Sequence, residues 1–176
     1  MNVLNAERSA WTAREITLTA VMTAAVFLAT FLPKIPIPLG YAHLGDAAIF
    51  LFLCLSSRRE AMLSACLGSA LADFLGGFPL WIGPTLFIKW AMAYTFVSFC
   101  GRIDASLWKS PRTLSALTLA CLVMAAGYTI FGALLYDSLA AGLASAPGLL
   151  AEGVVNILAF YGLLKPLQKL LPPARK

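Results

Sequence analysis

The sequence predicts an all-α integral membrane protein, a bundle of six transmembrane helices with an outward-facing ligand pocket capped by the first outer loop. The 176 residues are 60% hydrophobic and 12% charged, which is more apolar than soluble domains of this size. Apolar segments of near-membrane length alternate with short polar breaks, and basic residues collect in every second break. These segments use nearly the whole chain, so we expect residues 1–176 to form a single membrane domain.

Six apolar segments define the predicted helices, and proline residues set several of their ends. We expect helices at about residues 16–32, 44–55, 61–75, 84–99, 114–135 and 149–164. Pro33 ends the first helix, and the proline-rich residues after it cannot continue it. Pro84 suits the first turn of the fourth helix. Residues 136–148, which include Pro147, are predicted to be the linker before the sixth helix.

The basic residues predict the orientation of the bundle in the membrane. Of 13 lysines and arginines, eleven fall at the end of the predicted bundle that holds both termini, and Lys34 alone falls at the other end. Lys89 lies inside a membrane segment. This asymmetry places both termini in the cytoplasm of a multi-pass cell-membrane protein. Since topology accounts for the net charge of +5, we expect the lipid bilayer and not nucleic acid as a partner.

Lys89 is the most informative polar residue, because it interrupts an apolar segment. An ammonium group in lipid costs roughly 2.5–3.5 kcal/mol, so it should face protein or water. Thr85 lies four residues earlier on the same helix face, and Glu152 and Asn156 share a face of the sixth helix. Lys89 and Glu152 could form a purely structural pair, but we favour a ligand pocket that contains all four residues.

Four further residues near the outer boundary are candidate ligand contacts: Tyr41, His43 and Asp46 after the first loop, and Trp81 before the fourth helix. Each also has a simpler interpretation. The aromatic residues could belong to the interfacial belt, the histidine could form an interfacial hydrogen bond, and the aspartate could cap the second helix.

The sequence lacks the motifs of common catalytic sites. There is no phosphate-binding G-x-x-x-x-G-K-[ST] loop, no H-E-x-x-H and no G-x-S-x-G. The four cysteines are not paired in a C-x-x-C motif, and we expect no metal and no cofactor. A structural or assembly subunit remains an alternative function. A small lipid-modifying enzyme that uses Asp73, Glu152 and His43 is a less favoured one.

Small residues at four-residue spacing indicate close helix contacts. Ala20 and Ala24 form one such pair in the first helix, and Ala25 and Ala29 form another. These alanines could form a flat patch for a partner subunit. The third helix carries longer rows of small residues, which we interpret as internal packing.

Several segments together resemble the substrate-binding S component of energy-coupling factor (ECF) vitamin transporters. They are the spaced alanines of the first helix, the I-P-I-P loop, GYAHLGDAAIFL, GSALADFLGG and PTLFIKWAMAY, in an order that spans about residues 14–165. The resemblance implies a bacterial plasma-membrane protein without catalytic activity. It also implies a transmembrane coupling subunit and two ATPase subunits as partners.

The resemblance further implies roles for individual residues. The first outer loop would close over a small vitamin or vitamin precursor bound near the outer face. Ala20 and Ala24 would contact the coupling subunit. The inventory of aromatic and hydrogen-bonding residues suits a flat heteroaromatic ring. A thiamine-pyrimidine or pyridoxine-like compound is favoured, and a queuosine precursor or another vitamin is the alternative ligand.

Overall fold

The computed structural model describes residues 11–101, 110–167 and 169. They form six α-helices and a small antiparallel hairpin. The helices are α1 (Ala13–Phe31), α2 (Gly45–Leu55), α3 (Arg58–Gly76), α4 (Ile82–Cys100), α5 (Pro111–Leu135) and α6 (Leu139–Leu167), and the strands are β1 (Ile35–Ile37) and β2 (Gly40–Ala42). One turn of 3₁₀ helix at Pro79–Trp81 precedes α4. The six predicted helices are present, and the hairpin is an addition to the all-α prediction.

Polar caps start several helices earlier than their apolar residues alone predict. Thr12 and Ser57 each form a capping box with the glutamate three residues later, Glu15 and Glu60. Such boxes satisfy backbone donors at a helix start. Gly77 ends α3 with a φ of 84°, a left-handed conformation that glycine adopts without strain.

The start of α6 corrects the prediction of a linker at residues 136–148. The helix begins at Leu139 and contains Pro147, so the connection from α5 is a short turn. A Cβ atom at Gly142 would lie 2.5 Å from the carbonyl oxygen of Thr129 in α5. This close contact holds the first turns of α6 against α5, and packing of this kind lets membrane helices tolerate a proline.

Three of the described helices are long and apolar enough to cross a membrane: α1, α5 and α6. The shorter apolar helix α2 is mostly buried by protein. It contacts α1, α3, α4 and α6, while α1 packs on α3, α3 on α4, α4 on α5 and α5 on α6. The short second helix therefore lies inside the bundle, where protein and not lipid surrounds it.

The rows of small residues in α3 pack internally, as predicted. Ala61, Ser64, Ala65, Gly68, Ser69 and Ala72 are all buried. A Cβ atom at Gly68 would lie 2.7 Å from the carbonyl oxygen of Thr23 in α1. The absence of side-chain bulk thus sets the close approach of α1 and α3.

Candidate functional site

The β-hairpin closes one end of the bundle, which we call the hairpin end. Ile37 of β1 sits against α6 at Gly148, where a Cβ atom would lie 2.8 Å from the Cγ2 atom of Ile37. Leu39 at the turn lies against Gly132 of α5 and has a φ of 65°. This conformation costs a leucine roughly 1–2 kcal/mol, so its contact with α5 offsets strain in the turn. The hairpin is therefore held at two positions where glycine leaves room for it.

A cavity of about 60 Å³ lies beneath the hairpin. Four aromatic side chains dominate its wall, Tyr41, Phe78, Trp81 and Tyr128. The ring of Trp81 is 5.5 Å from that of Tyr128, and the ring of Tyr41 is 5.6 Å from that of Phe78. These two pairs supply most of the aromatic surface of the cavity, and such a surface suits a flat apolar ring.

The polar groups of the wall come from four separate parts of the chain: His43, Asp73, Ser145 and Glu152. Ser145 donates a hydrogen bond to the carbonyl oxygen of Gly142 at 2.7 Å. By contrast, Oδ2 of Asp73 and Oε1 of Glu152 have no hydrogen-bond partner among the described residues. The cavity therefore combines an aromatic wall with acceptor oxygens that are free to receive a donor.

A buried ion pair lies behind the aromatic wall. The ammonium group of Lys89 donates a hydrogen bond to Oδ1 of Asp46 at 2.5 Å, and both side chains are inaccessible to solvent. The same ammonium lies 5.3 Å from the centre of the Tyr128 ring. Because an unpaired charge at this depth is costly, the pair makes the burial of both groups possible and places a cation behind Tyr128.

Asn156 fixes the loop that leads from the hairpin into α2. Its side-chain oxygen accepts the backbone N–H of Ala47 at 2.8 Å, and its side-chain nitrogen donates to the carbonyl oxygen of His43, also at 2.8 Å. The nitrogen makes a second bond to the carbonyl oxygen of Glu152 at 3.0 Å. One amide thus joins α6 to the start of α2 and orients His43.

His43 is neutral at the wall of the cavity. Burial, together with the positive charge of Lys89, lowers the pKa of His43 to about 4. Its Nδ1 atom accepts the backbone N–H of Gly45 at 3.2 Å. Nδ1 is also 3.1 Å from Oε1 of Glu152, but an acceptor nitrogen gives that oxygen no proton. Contact with His43 therefore leaves Oε1 of Glu152 without a donor.

Four of the eight residues predicted to bind a ligand line the cavity: Tyr41, His43, Trp81 and Glu152. The other four, Asp46, Thr85, Lys89 and Asn156, surround it without being part of the wall. Thr85 is hydrogen-bonded at 3.1 Å to the hydroxyl of Tyr128, which does line the cavity. Half of the predicted residues therefore line this cavity and half lie behind its wall, and their binding of a ligand stays a prediction.

The structure corrects three of the alternative interpretations. The suggested Lys89–Glu152 pair does not form, because Lys89 pairs with Asp46. Asp46 makes no capping hydrogen bond at the start of α2. Trp81 is only 6% exposed and faces the cavity, so it does not belong to an interfacial belt.

Sequence reasoning missed several residues of the wall, including Tyr128, Phe78 and Ser145. Asp73 was singled out only as a possible catalytic acid. Tyr128 lies in a long apolar segment with no polar neighbour to mark it, and Ser145 lies in residues expected to form a linker. The position of Asp73 one turn before Gly76-Gly77 was the one available signal, since it indicates a carboxyl group near the end of a helix.

The two alanine pairs of α1 differ in their surroundings. Ala20 and Ala24 are exposed and line an apolar groove between α1 and α3. Ala25 and Ala29 are half-buried, and the carbonyl oxygen of Ala29 accepts the backbone N–H of Leu44. The first pair is thus the more accessible surface for another subunit.

The structure is a bundle of membrane helices with a cavity beneath the hairpin, and aromatic rings and carboxyl groups line this cavity. These features are typical of membrane proteins that bind a small molecule. The family model described as "ECF-type riboflavin transporter, S component" matches residues 10–169. The chain therefore belongs to this family, and the resemblance seen in the sequence is confirmed. Comparison with curated proteins finds no match. The protein is the substrate-binding subunit of an ECF transporter and a multi-pass membrane protein, and it is not an enzyme.

Proposed function

We propose that this protein captures a single-ring heteroaromatic vitamin or vitamin precursor, with a thiamine-pyrimidine or a pyridoxine-like compound favoured. The observation that carries the proposal is the cavity between two pairs of aromatic rings beneath the hairpin. Aromatic rings bind a flat ring through offset or edge contacts, and few polar groups are needed to orient it. The name of the family makes riboflavin the competing candidate.

The size of the cavity favours one ring over the three fused rings of riboflavin. Its volume is about 60 Å³, whereas an engineered cavity of roughly 150 Å³ holds benzene. Even a single ring therefore requires the wall to move outward. A larger ligand requires a larger displacement of the hairpin and of the packing beneath it, and this displacement costs binding free energy.

The hairpin is the element best placed to move. It approaches α5 and α6 closely at Leu39 and Ile37, and it is a short two-stranded unit, whereas α4 and α5 are long helices that pack on each other. Lys89, Asp46, Thr85 and Asn156 then support the site without contacting the ligand. They hold Tyr128 and the loop at His43 in place while the hairpin opens.

Transport requires the partners of the family, a transmembrane coupling subunit and two ATPase subunits. The hairpin end faces the outside of the cell in this proposal, because the described basic residues other than Lys34 and Lys89 lie towards the opposite end. The exposed pair Ala20 and Ala24 is the proposed contact with the coupling subunit, and the half-buried pair Ala25 and Ala29 borders it.

The test is a binding panel on the purified full chain, measured by thermal shift and isothermal titration calorimetry. The panel contains the hydroxymethyl aminopyrimidine of thiamine, pyridoxine, pyridoxamine, thiamine and riboflavin. We expect a single-ring compound to bind most tightly, and a tight ligand raises the melting temperature by mass action. Riboflavin as the tightest ligand would overturn the single-ring assignment, and no binding by any compound would overturn the proposed substrate class.

Two matched tryptophan variants locate the binding site. Trp81→Leu removes a ring from the cavity wall, and we expect it to weaken binding by about tenfold, since an aromatic contact contributes roughly 1 kcal/mol beyond its buried area. Trp90→Leu is the control, because Trp90 is 46% exposed and is not part of the wall. Equal effects of the two substitutions on affinity would place the ligand elsewhere.

A further inference from the structure

We propose that Asp73, together with Glu152, makes the cavity selective for rings that carry a protonated or amino nitrogen, against otherwise identical rings that carry an anionic group. This inference rests on the proposed function, since it names the charge class of the ligand that the same cavity takes. It assigns to Asp73 a role in specificity.

Three oxygen atoms of the cavity wall have no hydrogen-bond partner among the described residues. They are Oδ2 of Asp73, Oε1 of Glu152 and the hydroxyl oxygen of Tyr41. Buried polar atoms are nearly always hydrogen-bonded in native proteins, so each such atom requires an explanation. Glu152 is only 4% exposed, and neutral His43 gives its Oε1 atom no proton. Each of the two carboxyl groups therefore has one oxygen atom that can accept a hydrogen bond from a donating ligand.

No described lysine or arginine is among the residues that line the cavity. Two lysines contact lining residues from outside it. The ammonium group of Lys89 is bound to Asp46, and that of Lys34 lies over the rings of Phe31 and Tyr41 at 4.0 and 4.6 Å. Lys89 is thus already paired, and Lys34 lies against the Tyr41 ring and is not among the residues that line the cavity. A ligand with a carboxylate or phosphate would therefore meet carboxyl oxygens without a compensating cation.

Asp73 and Glu152 approach the cavity from different helices, α3 and α6. The backbone at Asp73 is joined to that of Phe78, because the carbonyl oxygen of Asp73 accepts the N–H of Phe78 at 2.9 Å. The wall thus presents an aromatic ring and a carboxyl group from one rigid helix end. A ring ligand with a positively charged or amino substituent can contact both groups at once, and charge-assisted hydrogen bonds are about twice as strong as neutral ones.

The test uses compounds that share one ring and differ in one substituent. Pyridoxamine, pyridoxine and pyridoxic acid carry an aminomethyl, a hydroxymethyl and a carboxylate group on the same pyridine ring. A second series compares the aminopyrimidine of thiamine with its analogue in which a carbonyl oxygen replaces the amino group. In whichever series contains a ligand, we expect the amino compound to bind at least about tenfold more tightly than each compound that lacks the amino group. One charge-assisted hydrogen bond predicts a difference of this size.

Asp73→Asn keeps the shape of the side chain and removes its charge. We expect this variant to lose most of the preference for the amino compound while its melting temperature without ligand stays close to that of the original protein. Asp137→Asn is the matched control, because Asp137 is exposed in the turn between α5 and α6 and does not line the cavity. It should leave the preference unchanged.

The outcomes separate this inference from the function on which it rests. A single-ring compound that binds without preference for the amino group, or with the same preference in Asp73→Asn, overturns the role of Asp73 alone. Tighter binding of pyridoxic acid than of the amino compounds overturns the charge class, whereas riboflavin as the tightest ligand overturns the single-ring assignment on which the inference rests. If no ring compound binds, the proposed function fails, and the inference fails with it.

Discussion

Lys89 supports the cavity through Asp46 and Tyr128, which gives its burial a physical reason. The ammonium group and the carboxyl group are both inaccessible to solvent, and each would be costly alone. Tyr128 lines the cavity, and the ammonium group of Lys89 lies 5.3 Å from the centre of its ring. The ion pair thus contributes to the site by fixing its wall.

Lys89→Met should destabilise the folded protein strongly, by about 3–5 kcal/mol, because it leaves the Asp46 carboxyl group buried without a partner. Combining it with Asp46→Asn should recover much of this loss, since neither side chain is then charged. The measurement is thermal denaturation of each purified variant in detergent, from which the change in the free energy of unfolding is obtained. Lys165→Met serves as the control because Lys165 is exposed, and it should have little effect. Recovery with Glu152→Gln instead of Asp46→Asn would contradict the observed pairing.

In the proposed function, the hairpin is the element that moves when a ligand enters or leaves the cavity. It is a short two-stranded unit with a two-residue turn, and such a hairpin has little stability of its own. Its position depends on Gly132 and Gly148, where the absence of a side chain lets Leu39 and Ile37 reach α5 and α6. The two glycines therefore determine how firmly the cavity is closed.

Gly148→Val should loosen the hairpin, because the new side chain would occupy the position of Ile37. We expect the ligand to dissociate about tenfold faster, which corresponds to roughly 1.4 kcal/mol less free energy holding the hairpin closed. We also expect increased hydrogen exchange at residues 35–42. The matched control is Gly162→Val in the same helix, since a Cβ atom at Gly162 meets no other atom within 4 Å. If both variants release ligand at the same rate, hairpin packing at Gly148 does not control closure.

The whole molecule is asymmetric along the membrane normal. One end carries the hairpin, the cavity and the short turn between α5 and α6. Among the described residues, every lysine and arginine except Lys34 and Lys89 lies towards the other end. The charge distribution predicts that the hairpin end faces outward, as the proposed function requires.

Cysteine labelling in intact cells tests the orientation. In a background with the four native cysteines replaced, Asp137→Cys should react with a membrane-impermeant maleimide, because it lies at the hairpin end and is exposed. Arg59→Cys, exposed at the opposite end, should react only after the cells are opened. Labelling of Arg59→Cys but not Asp137→Cys in intact cells would invert the proposed topology.

The features that the sequence predicts correctly are those that depend on local patterns. Apolar segment lengths predict six helices, small residues at four-residue spacing predict the packing of α3, and spaced motifs predict the family. Each of these patterns lies within a single segment, so residues that are close in sequence are sufficient to predict the corresponding feature. The start of α6 was wrong because contacts with α5 at Gly142 outweigh the local effect of Pro147.

The pairing of the polar residues was decided by tertiary packing. A lysine in α4 could meet a carboxyl group from α2 or α6, and sequence spacing does not distinguish them. Insertion of the short helix α2 among α1, α4 and α6 brings Asp46 to Lys89 and leaves Glu152 beside His43. The same packing turns Asp73 and Tyr128 into a common cavity wall. Composition and periodicity therefore establish a membrane bundle, whereas the contacts between distant segments establish its binding site, because a side chain's partner depends on how helices pack and not on its position along the chain.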